Sequence, residues 1–458
     1  MSTRKTQTSI LYQNFDRSIT LIDIPMSISI AQDYPRPDVI LSNKPLASPH
    51  IIHNEPKKQK AREKHAAYTE TDSHAEYKAM IAHALSEIRR SMESLPARFG
   101  RTWCLPRITT AQAPQSRNHG DMEMDDLWKD LEAQLRKWSS TSKGEEPFDF
   151  NKMMASLGES SDATSPETSM SYAPARDTVD GLQAGDSVTP KEAWTSSFHN
   201  PTTRAVDLTI SAKHTQNGNS TQEYRFRIPP LASVFLSDIT NPAEFRASFR
   251  ELTEDFVLPR HFDFILLDPP WPSGSVKRKG NYEQVGGMPY LRKVLSGLDL
   301  DNYLEHNALV AIWITNKQSA RDLVLGPGGL FEQWNVGLVE EWLWIKTTDK
   351  GEPMFSLDSI WRKPYETLLV GRAAPNSWTT MAASPVVTTR VIAAVPDIHS
   401  RKPCLKELIE PFMPDPEDYS ALEVFARHLV KGWTSWGNEA LKFNWEGYWS
   451  SDVALDRG

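Results

Sequence analysis

The chain has 458 residues, 39% of them hydrophobic and 24% charged, with a formal net charge of −8. Its two cysteines, Cys104 and Cys404, lie far apart and belong to no C-x-x-C or Cys/His cluster, which argues against a disulfide scaffold and against a metal site. No run approaches the roughly 18 apolar residues of a membrane-crossing helix, and the opening Met1-Ser2-Thr3-Arg4-Lys5 leads into no apolar signal core. A soluble intracellular protein is therefore expected, nuclear or cytoplasmic. The acidic total does not exclude nucleic acid as a partner, because only the contact face must be positive.

Residues 1–56 are mixed and Pro- and Ser-containing, and they read as a flexible leader. A basic run follows (Lys57, Lys58, Lys60, Arg62, Lys64), and then Met80, Ala84, Leu85 and Ile88 recur at helical spacing. A second helix is expected over Met124 to Trp138, where Leu127, Leu131 and Leu135 repeat at four. Residues 1–138 are thus an N-terminal region with helical segments. Residues 139–190 are dominated by Ser, Thr, Asp, Gly and Pro, too polar to offset their ordering entropy, and read as a disordered linker.

From residue 191 the pattern changes. Val206 to Ile210 and Gln222 to Ile228 alternate like half-buried strands, and Ser233 to Leu236 leads into Ser237-Asp238-Ile239. Apolar runs follow at Phe262 to Leu267, Leu309 to Ile314, Trp342 to Ile345, Thr367 to Val370, Val386 to Ile392 and Ala421 to Phe425. Several are nearly continuous, as in strands covered on both faces. Helical stretches lie between some of them, at Pro242 to Leu252, Gly287 to Leu295 and Leu405 to Phe412. Such alternation predicts an α/β domain over 191–458 with a mostly parallel sheet.

One strand stops on chemistry. Ile265-Leu266-Leu267 runs into Asp268-Pro269-Pro270-Trp271. Ligands of open α/β sheets bind beyond the carboxyl ends of the strands, and this segment places an acid, two prolines and an indole there. Pro269 and Pro270 fix φ and carry no N–H, so they brace a stiff turn with carbonyls in set directions. Such a turn suits methylation of an aryl amine, whose lone pair is delocalised into its ring. Hydrogen bonds from the amine to Asp268 and to the Pro269 carbonyl would draw the nitrogen toward tetrahedral geometry, and Asp268 would answer the positive charge developing on it. Trp271 offers a flat face for the base.

With these residues in view, the sequence resembles the eukaryotic N6-adenine methyltransferase family. The resemblance runs from about Ser233 to Gly447. It takes in Ser237-Asp238-Ile239, the Asp-Pro-Pro-Trp strand, Met288-Pro289-Tyr290, Leu309 to Asn316, Trp342 to Thr347, Lys363-Pro364-Tyr365-Glu366, Ser400 to Pro403, Leu422 to Arg427 and Trp433 to Glu439. Lys-Pro-Tyr-Glu and Gly-Trp-Thr-Ser-Trp-Gly-Asn-Glu look closest to the methyltransferase-like protein 4 subgroup. The resemblance does not extend to residues 1–190.

The resemblance implies a Rossmann-like methyltransferase fold with permuted motif order, and S-adenosylmethionine as cofactor. It implies Asp238 and Ile239 at the cofactor's adenine, with Lys402 at its carboxylate end. Arg427, Asn438 and Glu439 fall to the ribose, and Asp268 stands beside the methyl group. A diol suits a paired amide and carboxylate, and a carboxylate suits a lysine. The His and Asn that follow the family's arginine appear here as Leu429 and Val430 or are shifted, so some ribose contacts must differ. On the substrate side, Lys277, Arg278 and Lys279 suit a phosphate backbone. Tyr290 would flank the target adenine, and Lys363, Tyr365 and Glu366 would approach a base taken out of its stack. The implied partner is nucleic acid, RNA ahead of DNA, and the implied subgroup substrate is 2′-O-methylated adenosine of small nuclear RNA. A DNA adenine methyltransferase and a non-catalytic nucleic-acid-binding subunit are the alternatives. No membrane partner is expected, and the simplest state is a monomer.

Overall fold

A computed structural model describes residues 7–33, 39–50, 73–94, 102–109, 135, 168–174, 192–193, 195–214, 220–272, 287–359, 362–398 and 401–450. In chain order the strands are β1 (Ile10–Gln13), β2 (Ile19–Ile22), β3 (Val39–Ile40), β4 (Thr168–Pro174), β5 (Glu192–Ala193), β6 (Ser197–His199), β7 (Val206–His214), β8 (Ser220–Ile228) and β9 (Ser233–Phe235). They continue as β10 (Phe262–Leu267), β11 (Leu304–Ile314), β12 (Val336–Lys346), β13 (Tyr365–Ala373), β14 (Thr388–Ala394), β15 (Ala421–Val424), β16 (Trp433–Trp436) and β17 (Trp449–Ser450). The helices are α1 (Ile24–Ala31), α2 (His74–Ser94), α3 (Pro242–Phe256), α4 (Gly287–Ser296), α5 (Gln318–Leu325), α6 (Leu330–Gln333) and α7 (Lys406–Ile409).

Two compact units form. The first comprises Met1–Gln115, Pro259–Val424 and Trp449–Gly458, and the second Ser116–Leu258 and Phe425–Tyr448. In the first unit the sheet strands follow the order β1-β2-β14-β12-β13-β11-β10-β15. β10 runs parallel to both β11 and β15, and β14 runs parallel to both β12 and β2. β13 is antiparallel to β11 and β12, so the α/β sheet is mixed rather than uniformly parallel. The reversed strand has a consequence for the chemistry. Its first residues, Tyr365 and Glu366, lie at the edge where β12 ends.

The expected flexible leader contains structure. Ile19, Thr20, Leu21 and Ile22 are all buried, and β2 pairs with β14 from Ile19 against Val391 to Leu21 against Ala393. Asp23 then caps α1 by accepting from the Met26 N–H at 3.0 Å, with Pro25 in the first turn. The sequence hides this because Ile-Thr-Leu-Ile is short, and its stabilising partner lies at the other end of the chain.

Helix α2 matches the periodic stretch anticipated around Met80 to Ile88 and extends it at both ends. Tyr77, Ile81, Ala84, Leu85, Ile88 and Met92 form its buried face. They pack into one cluster with Ile19, Leu21, Leu343, Ile345, Tyr365, Val391 and Ala393. The helix therefore covers one face of the sheet, as an apolar stripe must. Trp103 joins this cluster, and a Cβ on Gly351, whose φ is 78°, would collide with the Trp103 ring.

In the second unit β16 pairs in parallel with β9, and β9 pairs antiparallel with β6. A separate antiparallel sheet runs β5-β4-β7-β8. Strand β4 lies inside residues 139–190 and so corrects the linker reading at that point. It pairs along its length with β7, and Tyr172 stacks on Phe198 with ring centroids 4.2 Å apart. Ladder pairing satisfies a backbone whose polar side chains gave no sign of burial. Of the helix expected over Met124 to Trp138, only Leu135 lies within the described residues, where it is helical and buried. The basic run at 57–64 lies outside the described residues. Among the described residues no helix is long and apolar enough to cross a membrane.

Candidate active site

Strand β10 is buried from Phe264 to Leu267 and delivers Asp268 to the sheet edge, where the side chain is half-buried. The Asp268 N–H donates to the Val424 carbonyl at the end of β15, over 3.4 Å. The turn that follows is fixed at three points. The Trp271 N–H donates back to the Pro269 carbonyl at 2.9 Å, so one lone pair of that carbonyl is engaged and the other is left for an incoming donor. The Trp271 indole N–H donates to the Trp313 carbonyl at 2.7 Å. The Lys317 ammonium donates to the Pro272 carbonyl, and burial pushes the Lys317 pKa down. Trp313 and Lys317 flank the end of β11, so the neighbouring strand sets the orientation of the Asp-Pro-Pro-Trp turn.

Four charged side chains meet beside this turn. Lys402 lies 2.9 Å from Asp268 and 3.1 Å from Glu366, and Lys346 also binds Glu366. Register explains the grouping. Glu366 stands opposite Trp344 across β12 and β13, so it shares a face with Trp344 and with Lys346 two residues on. The Lys346 ammonium sits over the Trp344 ring at 4.6 Å, and that of Lys402 over Trp313 at 5.5 Å. Two cations thus balance two carboxylates. Burial alone would lower the Lys402 pKa, but Asp268 and Glu366 outweigh it and hold the ammonium above the ordinary lysine range. Burial likewise opposes ionisation of Glu366, and Lys346 and Lys402 overcome it, so this carboxyl stays well below the usual carboxylate range.

Tyr365 departs from the expectation of a substrate contact. It neighbours Glu366 on a strand, so it points to the opposite face, and only 1% of it is exposed. Its hydroxyl meets His74 Nδ1 at 2.7 Å, and its ring meets that of Tyr77 edge-on. It is a packing residue under α2. Lys363 also turns to this helix, with its ammonium 3.0 Å from His74 Nε2. Tyr290 is exposed on α4. Lys277, Arg278 and Lys279 lie outside the described residues.

The second unit carries the other anticipated cofactor residues. Asp238 Oδ1 accepts from the N–H of Thr240 at 2.9 Å and from its hydroxyl at 2.7 Å. That local turn occupies one oxygen, and Asn241 is the N-cap residue of α3. Ile239 is buried. Glu439 is buried and pairs with Arg427 at 3.3 Å and Lys442 at 3.6 Å. Beside it, the Asn438 Oδ1 is buried with no hydrogen-bond partner. A buried amide oxygen left without a donor is costly unless something supplies one. Leu429 and Val430 are fully buried core residues. Trp433 and Trp436 are core as well. Trp436 stacks on Phe245 at 3.9 Å and donates to Ser237 Oγ at 2.9 Å. Phe425, just after β15, holds φ at 64°, a left-handed conformation that a bulky residue seldom adopts.

Sequence reading missed Lys317 and Lys346. Lys317 falls three residues past the strand expected to end at Ile314, and Lys346 one residue past that expected to end at Ile345, which was the available signal.

The MT-A70 family model matches residues 262–439 of the chain. The chain is 43% identical over 189 residues to the N6-methyladenosine RNA methyltransferase MTA1 of Cryphonectria parasitica, covering 41% of this chain and 54% of that one. It is 34% identical over 240 residues to the human N(6)-adenine-specific methyltransferase METTL4, covering 51% and 46% of the two chains. It is 30% identical over 233 residues to the Caenorhabditis elegans DNA N6-methyl methyltransferase, covering 50% and 57%. The chain thus spans about half the length of the curated relatives it matches.

Proposed function

We propose that this chain is an S-adenosylmethionine-dependent methyltransferase acting on the N6 amine of adenine in nucleic acid, with RNA as the substrate. The observation that carries this reading is the Lys402 ammonium 2.9 Å from Asp268 at the end of β10, beside a braced Pro-Pro turn. Lys402 holds Asp268 as an oriented acceptor, and the free lone pair of the Pro269 carbonyl is the second acceptor. An exocyclic amine donating to both is fixed in direction, and its lone pair is left to react. The carboxylate then opposes the positive charge that builds on nitrogen and takes up the departing amine proton.

Each unit, taken by itself, carries residues whose chemistry suits a part of the cofactor. The partnerless amide oxygen of Asn438 and the carboxylate of Glu439 suit ribose hydroxyls. In the second unit Asp238 also keeps one oxygen for an adenine amine, with Ile239 as apolar wall. In the first unit, considered separately, Lys402 has a third proton for a carboxylate. Arg427 acts through its pair with Glu439. When bound, S-adenosylmethionine would supply a methyl group on an electrophilic sulfonium. Lys277, Arg278, Lys279 and Tyr290 are assigned to the nucleic acid, with Glu366 beside the base.

RNA is placed ahead of DNA because the fungal relative at 43% identity is named for RNA, whereas the relative named for DNA stands at 30%. An internal 2′-O-methylated adenosine of small nuclear RNA is the specific substrate proposed, which favours a nuclear location. The test is mass spectrometry of nucleosides after incubating the full chain with methyl-labelled cofactor and separate RNA and DNA oligomers. Labelled N6-methyladenosine or its 2′-O-methyl form in the RNA is expected. Label only in deoxyadenosine would favour DNA, and no label in either would overturn the reading.

A further inference from the structure

Lys402 lies on the connection between β14 and α7, of which residues 395–398 and 401–405 are described. Residues far outside the matched segment 262–439 hold this connection. Arg107 donates to two successive carbonyls, that of Pro396 at 2.6 Å and that of Val395 at 2.7 Å. The Asn43 N–H donates to Asp397 Oδ1 at 3.0 Å. Asp397 pairs with Arg401, and both side chains are almost wholly buried at 0% and 1% exposure. Arg401 donates in turn to the Leu41 carbonyl at 2.8 Å. The Cys404 N–H donates to Ser27 Oγ at 3.0 Å.

Arg107 is itself fixed. Asp23, which caps α1, also accepts from the Leu105 N–H at 3.0 Å, and the Ser42 N–H donates to the Ile108 carbonyl at 2.9 Å. A guanidinium spanning two consecutive carbonyls sets the direction of the chain leaving β14, because its donors form a rigid fork. The buried Asp397–Arg401 pair then sets the residue immediately before Lys402. A buried ion pair is weak evidence for stability but can enforce one geometry.

We propose that Arg107 is a positioning residue for catalysis, acting through Lys402. The N-terminal segment is then a clamp that fixes where the Lys402 ammonium meets Asp268 and Glu366, and not only a cover for the sheet. The inference rests on the methyltransferase reading, since Lys402 matters to rate only if Asp268 does.

Two measurements on the full chain test it. The first is a double-mutant cycle in methyl transfer to RNA with R107A, K402M and both together. Misplaced catalytic groups cost rate steeply, so R107A is expected to lower kcat by about tenfold or more. R107K is expected to recover part of the loss, and R107A should add little in the K402M background. Additive losses would show that Arg107 does not work through Lys402 and would overturn the proposal. The second is hydrogen exchange of peptides covering 395–405, which needs no activity. Faster exchange there in R107A, with β10 and β11 unchanged, is expected. Unchanged exchange in that peptide would overturn the clamp even if the chain proved not to be a methyltransferase.

Discussion

Lys402 places its ammonium 2.9 Å from the carboxylate of Asp268 and 3.1 Å from that of Glu366. One cation therefore joins the acid at the end of β10 to the acid at the start of β13. These strands are not neighbours, since β11 lies between them. The two acids can share a lysine because β13 runs antiparallel to β11 and so begins at the edge where β10 ends.

The cluster should give the fold a pH window. Glu366 is held below its ordinary value of 4.5, so its contribution is present above about that pH and is lost as pH falls toward its depressed folded value. Lys402 is held above 10.5, so its contribution is present below that pH and lost as pH rises through the folded value. Thermal melts across pH should show E366Q flattening the acid limb and K402M flattening the alkaline limb. Parallel curves for wild type and both variants would contradict the pairing.

Lys317 should matter to rate more than to cofactor affinity. It holds the Pro272 carbonyl, one residue past the Asp-Pro-Pro-Trp turn. K317M is expected to lower kcat by roughly tenfold, with the cofactor dissociation constant nearly unchanged. Steady-state kinetics with calorimetry distinguishes this from a general loss of folding.

Tyr365 should behave as a core residue. Y365F removes the hydroxyl that meets His74 and is expected to destabilise the fold by about 1 kcal/mol in denaturant unfolding. The KM for RNA should not move. A large rise in KM at unchanged stability would restore the expectation of a base contact.

The N-terminal helix should be part of the fold. Ile88 is fully buried in the cluster that joins α2 to β2, β12 and β14. I88A is expected to cost about 2–5 kcal/mol, and deleting residues 1–115 should abolish folding of the first unit. A cooperative melt in the deletion variant would show that the sheet stands without this cover.

The sequence was most legible where local pattern and chemistry coincide. The run Phe262 to Leu267 ends on an acid and two prolines, so both the strand and the place where it stops could be read. The α2 stripe was legible from its spacing. Tyr365 and Glu366 were grouped because they are adjacent, although strand alternation sends adjacent side chains to opposite faces. β2 was missed because four residues in a polar setting carry little signal, and its partner begins at Val391. The Lys402–Asp268 pair was not legible either, because a lone lysine looks solvated until strand order and direction are known.

The most direct test of the central claim is single-turnover methyl transfer to an adenosine-containing RNA by wild type and D268A, with cofactor affinity measured in parallel. Removing an acceptor aimed at developing charge should slow transfer by about a hundredfold or more, while cofactor affinity stays within a few-fold. Transfer by D268A at the wild-type rate would contradict the account, because the acid that Lys402 holds would then have no part in the reaction.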